Sequence, residues 1–158
     1  GNPVNSIPAD SVNADAILIT HAHGDHVGDA PAIAARTGAT ICTINELAGY
    51  LSSKGLKNVV GGNHGGTLPF PGGTVKLTPA WHSSTYNDES GAIAQGIPAG
   101  MIVRYGGLTM YFAGDTAAGV SPPAPGSFGV LWGLSTVRRN PTKTPENQGF
   151  SAENSHLF

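Results

Sequence analysis

The chain has 158 residues, eight basic and ten acidic side chains and a net charge of −2, a size that fits one ordinary domain. Charged residues make up only 11%, against about 25% in typical soluble proteins, whereas Gly (23) and Pro (12) are abundant and hydrophobic residues reach 39%. These figures exclude a charge-driven disordered chain, a collagen with its strict glycine period, a bilayer-spanning helix of about 20 apolar residues, and the basic footprint of a nucleic-acid binder.

The predicted elements alternate along the first three quarters of the chain. Ala16 to Thr20 is a short, continuous apolar run, as in a strand buried on both faces, and it leads straight into a polar cluster at His21. Asp29 is placed to cap a helix with Pro31 in its first turn, ending at Gly38. The β-branched stretch Thr40 to Ile44 reads as a second strand. Asn45 then caps a second helix, with Leu47, Tyr50 and Leu51 on one face and Lys54-Gly55 at its end. This βαβα pattern predicts an α/β domain with neighbouring strands and helices packed on the sheet.

Further on, Gly61 to Gly66 reads as a loop, Thr74 to Leu77 as a strand leading to His82, and Ser83 to Gly96 as a polar surface flap. Met101–Tyr105, Gly106-Gly107 and Leu108–Phe112 form a hairpin signal whose second strand ends at Asp115. From Gly119 the order fades into a proline-rich tail, in which only Val130 to Trp132 suggests local packing. The chain opens at Gly1 without a methionine, and nothing at its start reads as a signal peptide. The single Cys42 excludes an internal disulfide and suits a reducing cytoplasmic setting.

The chemistry is concentrated in Thr20-His21-Ala22-His23-Gly24-Asp25-His26, with four strong ligand residues at the end of a buried strand. Imidazole and carboxylate are the donors that zinc and its first-row neighbours take. In extended chain His21 and His23 share a side, and a turn at Gly24 is expected to swing Asp25 and His26 to a second point, which suggests two adjacent metals. His82 and Asp115 each follow an apolar strand. Taken alone they read as a strand-end histidine and a turn residue; together with the cluster they suggest several strands delivering ligands to one sheet edge.

The motif His-Ala-His-Gly-Asp-His resembles the signature of the metallo-β-lactamase fold. Gly1-Asn2-Pro3 and the stretch Leu18 to Asp29, together with Arg36-Thr37-Gly38-Ala39, Gly65-Gly66-Thr67, Ala80-Trp81-His82-Ser83-Ser84, Pro98-Ala99-Gly100 and Ala113-Gly114-Asp115-Thr116, are similar to a branch of metal-dependent hydrolases related to the ascorbate-6-phosphate lactonases. The resemblance covers residues 1 to about 116 and implies an αββα sandwich with a dinuclear metal site at one sheet edge. By position it implies that His21, His23 and His82 hold a first metal, that Asp25 and His26 hold a second, and that Asp115 bridges both. It implies two divalent ions, zinc first, with manganese, nickel or iron admitted by the same donors. A water shared by the two ions would act as hydroxide on a small ester, lactone or similar substrate, with Asp25 orienting the nucleophile or moving a proton.

Relatives of this kind also carry strands ahead of Gly1 and, after the Gly-Asp-Thr segment, further elements with a last histidine ligand. The chain is therefore expected to be an incomplete member, a partial domain over 1–118 followed by a divergent tail over 119–158, with exposed sheet edges that invite homo-oligomerisation or aggregation. His156 is the only later histidine and reads as a solvated tail residue. His64 reads as a solvated loop residue, Trp81 as a packing residue, and Ser83, Ser84 and Tyr86 as polar flap residues within reach of substrate. A phosphodiesterase or nuclease on the same fold is the alternative, disfavoured by the scattered Lys54, Lys57, Lys76 and Arg104; an inactive metal-binding fragment is another.

Overall fold

The computed structural model describes residues 7–88, 91–94, 96–117, 130–131 and 135–137. The apolar run forms β1 (Ala16–Ile19), buried at every position, as a strand covered on both faces requires. After it come a single helical turn, α1 (Gly24–Val27), then α2 (Ala30–Thr37), β2 (Thr40–Ile44), α3 (Asn45–Ser53) and β3 (Val59–Gly62). β1, β2 and β3 lie side by side and parallel, the arrangement the alternating pattern predicts.

Two capping expectations change in detail. Asp29 does occupy the N-cap of α2, with Pro31 in the first turn, but its side chain makes no capping hydrogen bond. Asn45 is the first helical residue of α3, and the cap position falls to Ile44, because β2 runs into the helix with no intervening loop.

Gly61 and Gly62, expected in a loop, are the last two residues of β3. A Cβ at Gly61 would lie 2.6 Å from Ala48 Cβ, and one at Gly62 would lie 2.6 Å from Leu68 Cδ2. These glycines therefore serve close approach of α3 and of the following strand, a requirement set by tertiary packing that the local sequence does not display.

The second sheet is built from β4 (Thr67–Phe70), β5 (Gly73–Pro79), β8 (Ala99–Tyr105) and β9 (Leu108–Phe112), with antiparallel pairing of β4 to β5, β5 to β8 and β8 to β9. Pro69 is tolerated within β4 because that strand is at the sheet edge. Between β8 and β9, Gly106 (φ 57°) and Gly107 (φ 78°) make the two-residue turn that the double glycine predicts. The polar flap contains a separate ribbon, β6 (Thr85–Asp88) paired with β7 (Gly91–Ala94).

Two short strands come from the segment where no regular element is expected. β10 (Val130–Leu131) pairs parallel with β9, and β11 (Ser135–Val137) pairs antiparallel with β1. Their partners are remote strand edges, so the ordering is tertiary. The first sheet thus has the order β11-β1-β2-β3 and the second β10-β9-β8-β5-β4.

One continuous core joins Ile17, Ile19 and Ile41 of the first sheet, Val75, Leu77, Met101 and Val103 of the second, and Ile33, Leu47 and Leu51 of α2 and α3. Burying each such side chain contributes about 1.5–3 kcal/mol relative to exposure. Ile102, Tyr111 and Ala113 alternate to the other face of the second sheet and form a separate small cluster. Among the described residues the layers are therefore helix, sheet, sheet, three layers of the expected αββα sandwich. Cys42 is buried in β2, and that burial pushes its thiol up to about 12, leaving it protonated and unreactive. No helix among the described residues is long and apolar enough to cross a membrane.

Candidate metal centre

The parallel strands β1 and β2 end at one edge of the first sheet, and the chain leaves that edge through the ligand cluster. Thr20 and His21 continue from β1 and are buried, with His21 fully so. His23 is the N-cap of α1, and its carbonyl accepts the N–H groups of His26 (3.0 Å) and Val27 (2.9 Å). That single helical turn carries Asp25 and His26 round to the second point. The swing expected at Gly24 is made by helix, and the left-handed residue is Gly28 at its end (φ 42°).

His82 follows β5 and Asp115 follows β9. Both strands are antiparallel to β8 and so run the same way, delivering their ends to the same side. His21 Nε2 lies 3.0 Å from His23 Nδ1, and His82 Nε2 lies 3.3 Å from the same His23 nitrogen. Asp115 Oδ1 is 3.2 Å from His26 Nε2 and its Oδ2 is 3.5 Å from His82 Nε2, so each oxygen faces a different histidine. Asp25 Oδ2 stands 3.7 Å from His26 Nε2 on a side chain that is 58% exposed.

Two groups of donors result. Ligand atoms of His21, His23 and His82 all lie within 4.8 Å of one another, as do those of His21, His26 and Asp115. His21 belongs to both groups, and Asp25 stands beside the second without joining it.

The donor chemistry fits a cation. Burial, reinforced by the nearby His26, His23 and His82, pulls the His21 pKa down to about 3, so its imidazole is neutral and carries a lone pair. Burial also lowers His26, although Asp115 and Asp25 pull the other way. Two nitrogens bound tetrahedrally to one ion at about 2.0–2.1 Å lie about 3.3–3.4 Å apart, close to the observed spacings of this cluster.

The remaining sequence candidates take other places. Ser84 is buried and its Oγ accepts the Ala22 N–H at 3.1 Å, whereas Ser83 Oγ is 3.3 Å from His23 Nε2 at the surface. His64, expected to be solvated, has its Nε2 2.8 Å from the Pro98 carbonyl and ties its glycine loop to the segment before β8. Trp81, expected to pack, is 70% exposed; its backbone is held by Thr116 Oγ1 (2.9 Å) and the Ala117 N–H (3.1 Å), leaving the ring outside. Tyr86 faces Tyr50, with ring centroids 5.2 Å apart. His156 lies outside the described residues.

Two features escaped the sequence reading. Thr20 Oγ1 stands 3.1 Å from His21 Nδ1 and 3.4 Å from His26 Nδ1; its position directly before the cluster was the available signal. The second is an anchor under the ribbon. Tyr50 donates to Asp88 Oδ2 at 2.9 Å, and Lys54 Nζ is 3.2 Å from the same oxygen, so α3 grips β6. Desolvation and the Asp88 carboxylate raise Tyr50, and the hydrogen bond to Asp88 raises Lys54. Sequence spacing of 38 residues between Tyr50 and Asp88 gave no hint of it.

A family model described as Beta-lactamase superfamily domain matches residues 2–123. The chain belongs to that superfamily. Among its relatives, a protein of Shouchella clausii named UPF0173 metal-dependent hydrolase is 44% identical over 119 residues, 74% of this chain and 52% of the relative. A UPF0173 metal-dependent hydrolase of Thermus thermophilus is 40% identical over 147 residues, 93% of this chain and 63% of the relative, an alignment that runs past Gly119. Among solved structures, Igni18, described as a novel metallo hydrolase from the archaeon Ignicoccus hospitalis, superimposes with a TM-score of 0.61 at 37% identity, covering 73% of this chain and 49% of that one. This superfamily member therefore spans about half to two thirds of the length of these relatives.

Proposed function

We propose that this superfamily member carries the metal centre of a hydrolase acting on a small ester, lactone or related carbonyl compound. The observation that carries the reading is the convergence of four imidazoles and the Asp115 carboxylate, from the ends of β1, β5 and β9, into two adjoining donor groups, with Asp25 beside the second. In this reading His21, His23 and His82 hold one divalent ion and His26 with Asp25 the other. Asp115, with one oxygen toward His26 and the other toward His82, would be placed to contribute to both. Zinc suits the nitrogen-rich first group best; manganese, nickel and iron are compatible with the mixed second group.

Ions held there would supply Lewis acidity, bringing the pKa of water toward about 7 and polarising the scissile carbonyl. The protein's own groups do the rest. Burial keeps His21 neutral and able to ligate. Asp25, exposed at the mouth of the site, is placed to hold the attacking water or move its proton. The β6–β7 ribbon, which begins three residues after His82 and is gripped by α3, is placed to border the substrate. The partner this reading calls for is a small molecule. A net charge of −2 argues against a polyanionic backbone as substrate.

Metal content per chain, by plasma mass spectrometry on protein purified without chelator, is the first test. It is followed by hydrolysis of a chromogenic ester, a lactone and bis(p-nitrophenyl) phosphate with and without chelator. Close to two ions and chelator-sensitive turnover of the ester or lactone support the reading. Absence of metal, or turnover of the phosphodiester alone, overturns it.

A further inference from the structure

We infer that the Thr20 hydroxyl is a positioning group that sets the tautomers of His21, which the two donor groups share, and of His26. The inference rests on the metal-centre reading above and concerns a residue outside the ligand set.

Thr20 is 4% exposed, and its Oγ1 faces His21 Nδ1 at 3.1 Å and His26 Nδ1 at 3.4 Å. The far nitrogen of each ring points to other donors: His21 Nε2 to His23 Nδ1 at 3.0 Å, and His26 Nε2 to Asp115 Oδ1 at 3.2 Å. A neutral imidazole has one N–H and one lone pair, so ligation through Nε2 requires the proton on Nδ1. Both Nδ1–H groups then aim at one oxygen. A hydroxyl oxygen has two lone pairs and accepts both. Were Thr20 to donate to either ring instead, that ring would carry its proton on Nε2, where a ligand lone pair is needed.

The hydroxyl is held in place from two sides. The Thr20 carbonyl accepts the Ala99 N–H at 3.0 Å, which ties it to β8. Gly114, at φ +61°, closes over the side chain: a Cβ there would lie 2.9 Å from Thr20 Cβ and 3.0 Å from Oγ1. Asp115 follows directly, so the residue that spaces the carboxylate also presses on the threonine.

Burial leaves the two imidazoles no bulk water as a substitute acceptor, and an unpaired buried N–H is costly. Ser83 Oγ, 3.3 Å from His23 Nε2, obeys the same logic for a third ring, but it is exposed and water can replace it.

The test compares the full chain with Thr20→Val, which keeps the side-chain shape, Thr20→Ser, which keeps the hydroxyl, and Ser83→Ala. Histidine tautomers are read by ring 1H–15N correlation NMR on metal-free protein, and affinity for Zn2+ by chelator competition. Expected are Nδ1–H tautomers for His21 and His26 in wild type and Thr20→Ser, and their loss in Thr20→Val. Zinc affinity should fall roughly 10–100-fold in Thr20→Val, less in Ser83→Ala, and stay near wild type in Thr20→Ser. An Nε2–H tautomer at either ring in the wild type, or wild-type tautomers and zinc affinity in Thr20→Val, would overturn the inference. A wild type that binds no Zn2+ sinks the metal-centre reading instead, and the tautomer comparison still decides the role of Thr20.

Discussion

Acid should destabilise the metal-free protein through His21, and the size of the effect follows from where that ring sits. His21 is fully buried, and burial with its histidine neighbours takes its pKa from 6.5 down to about 3. Below 6.5 the unfolded chain binds a proton that the folded chain refuses, so stability is full above that value and is lost as pH falls toward 3. At about pH 5 the gap to the ordinary value is about 1.5 pH units, which at 1.36 kcal/mol per unit gives a loss of about 2 kcal/mol. That figure depends little on the folded pKa as long as it stays well below the assay pH. Urea unfolding of chelated protein at about pH 7.5 and pH 5 measures the change, and His21→Gln isolates the part that passes through His21, because titrating groups remote from the cluster cancel in the difference. The variant should lose about 2 kcal/mol less than wild type over that interval. Equal pH dependence in the two proteins would refute the claim that buried His21 is held neutral.

Other expectations concern the ligands and the scaffold. His82→Ala removes an imidazole from the first group only, and should lower metal content by about one ion per chain, read by mass spectrometry. Gly61→Ala drives a Cβ to 2.6 Å from Ala48 Cβ and should cost about 1–3 kcal/mol, seen as a lower Tm. Tyr50→Phe deletes the donor to Asp88 and should speed hydrogen exchange across Thr85–Asp88 while leaving that of β1 unchanged. Trp81→Ala should leave stability within about 0.5 kcal/mol of wild type, because the ring packs on little.

The convergence of candidate donors was legible because several chemical requirements coincide within one local segment. A buried strand must end, and metal donors of the right type at short spacing follow at once in His21, His23, Asp25 and His26. His82 and Asp115 were legible for a related reason, each being the first ionisable side chain after an apolar run. Where the reading failed, the deciding contact came from afar. Gly61 and Gly62 look like loop residues until α3 and β4 are set against them. Trp81 looks like core until the chain turns its ring outward. The strands Val130–Leu131 and Ser135–Val137 have no periodic signal of their own and are defined by the edges of β9 and β1.

The same division runs through the site and bears on what can be changed without losing it. The candidate ligands have local signatures, but the groups around them do not: Thr20 is set by Gly114 and Ala99, and the neighbouring ribbon by Tyr50 and Lys54. Four imidazoles crowd within one site, with ring centroids of His21 and His26 only 4.1 Å apart. Without fixed tautomers such a cluster would pair N–H with lone pair internally, as the 3.0 Å approach of His21 Nε2 to His23 Nδ1 permits, and so satisfy itself without an ion. On the proposed reading, metal binding by the cluster would depend on its outer side, on which ring nitrogens find acceptors. One buried hydroxyl faces two Nδ1 atoms, and in the proposed reading it is the acceptor that would tip that balance toward ligation.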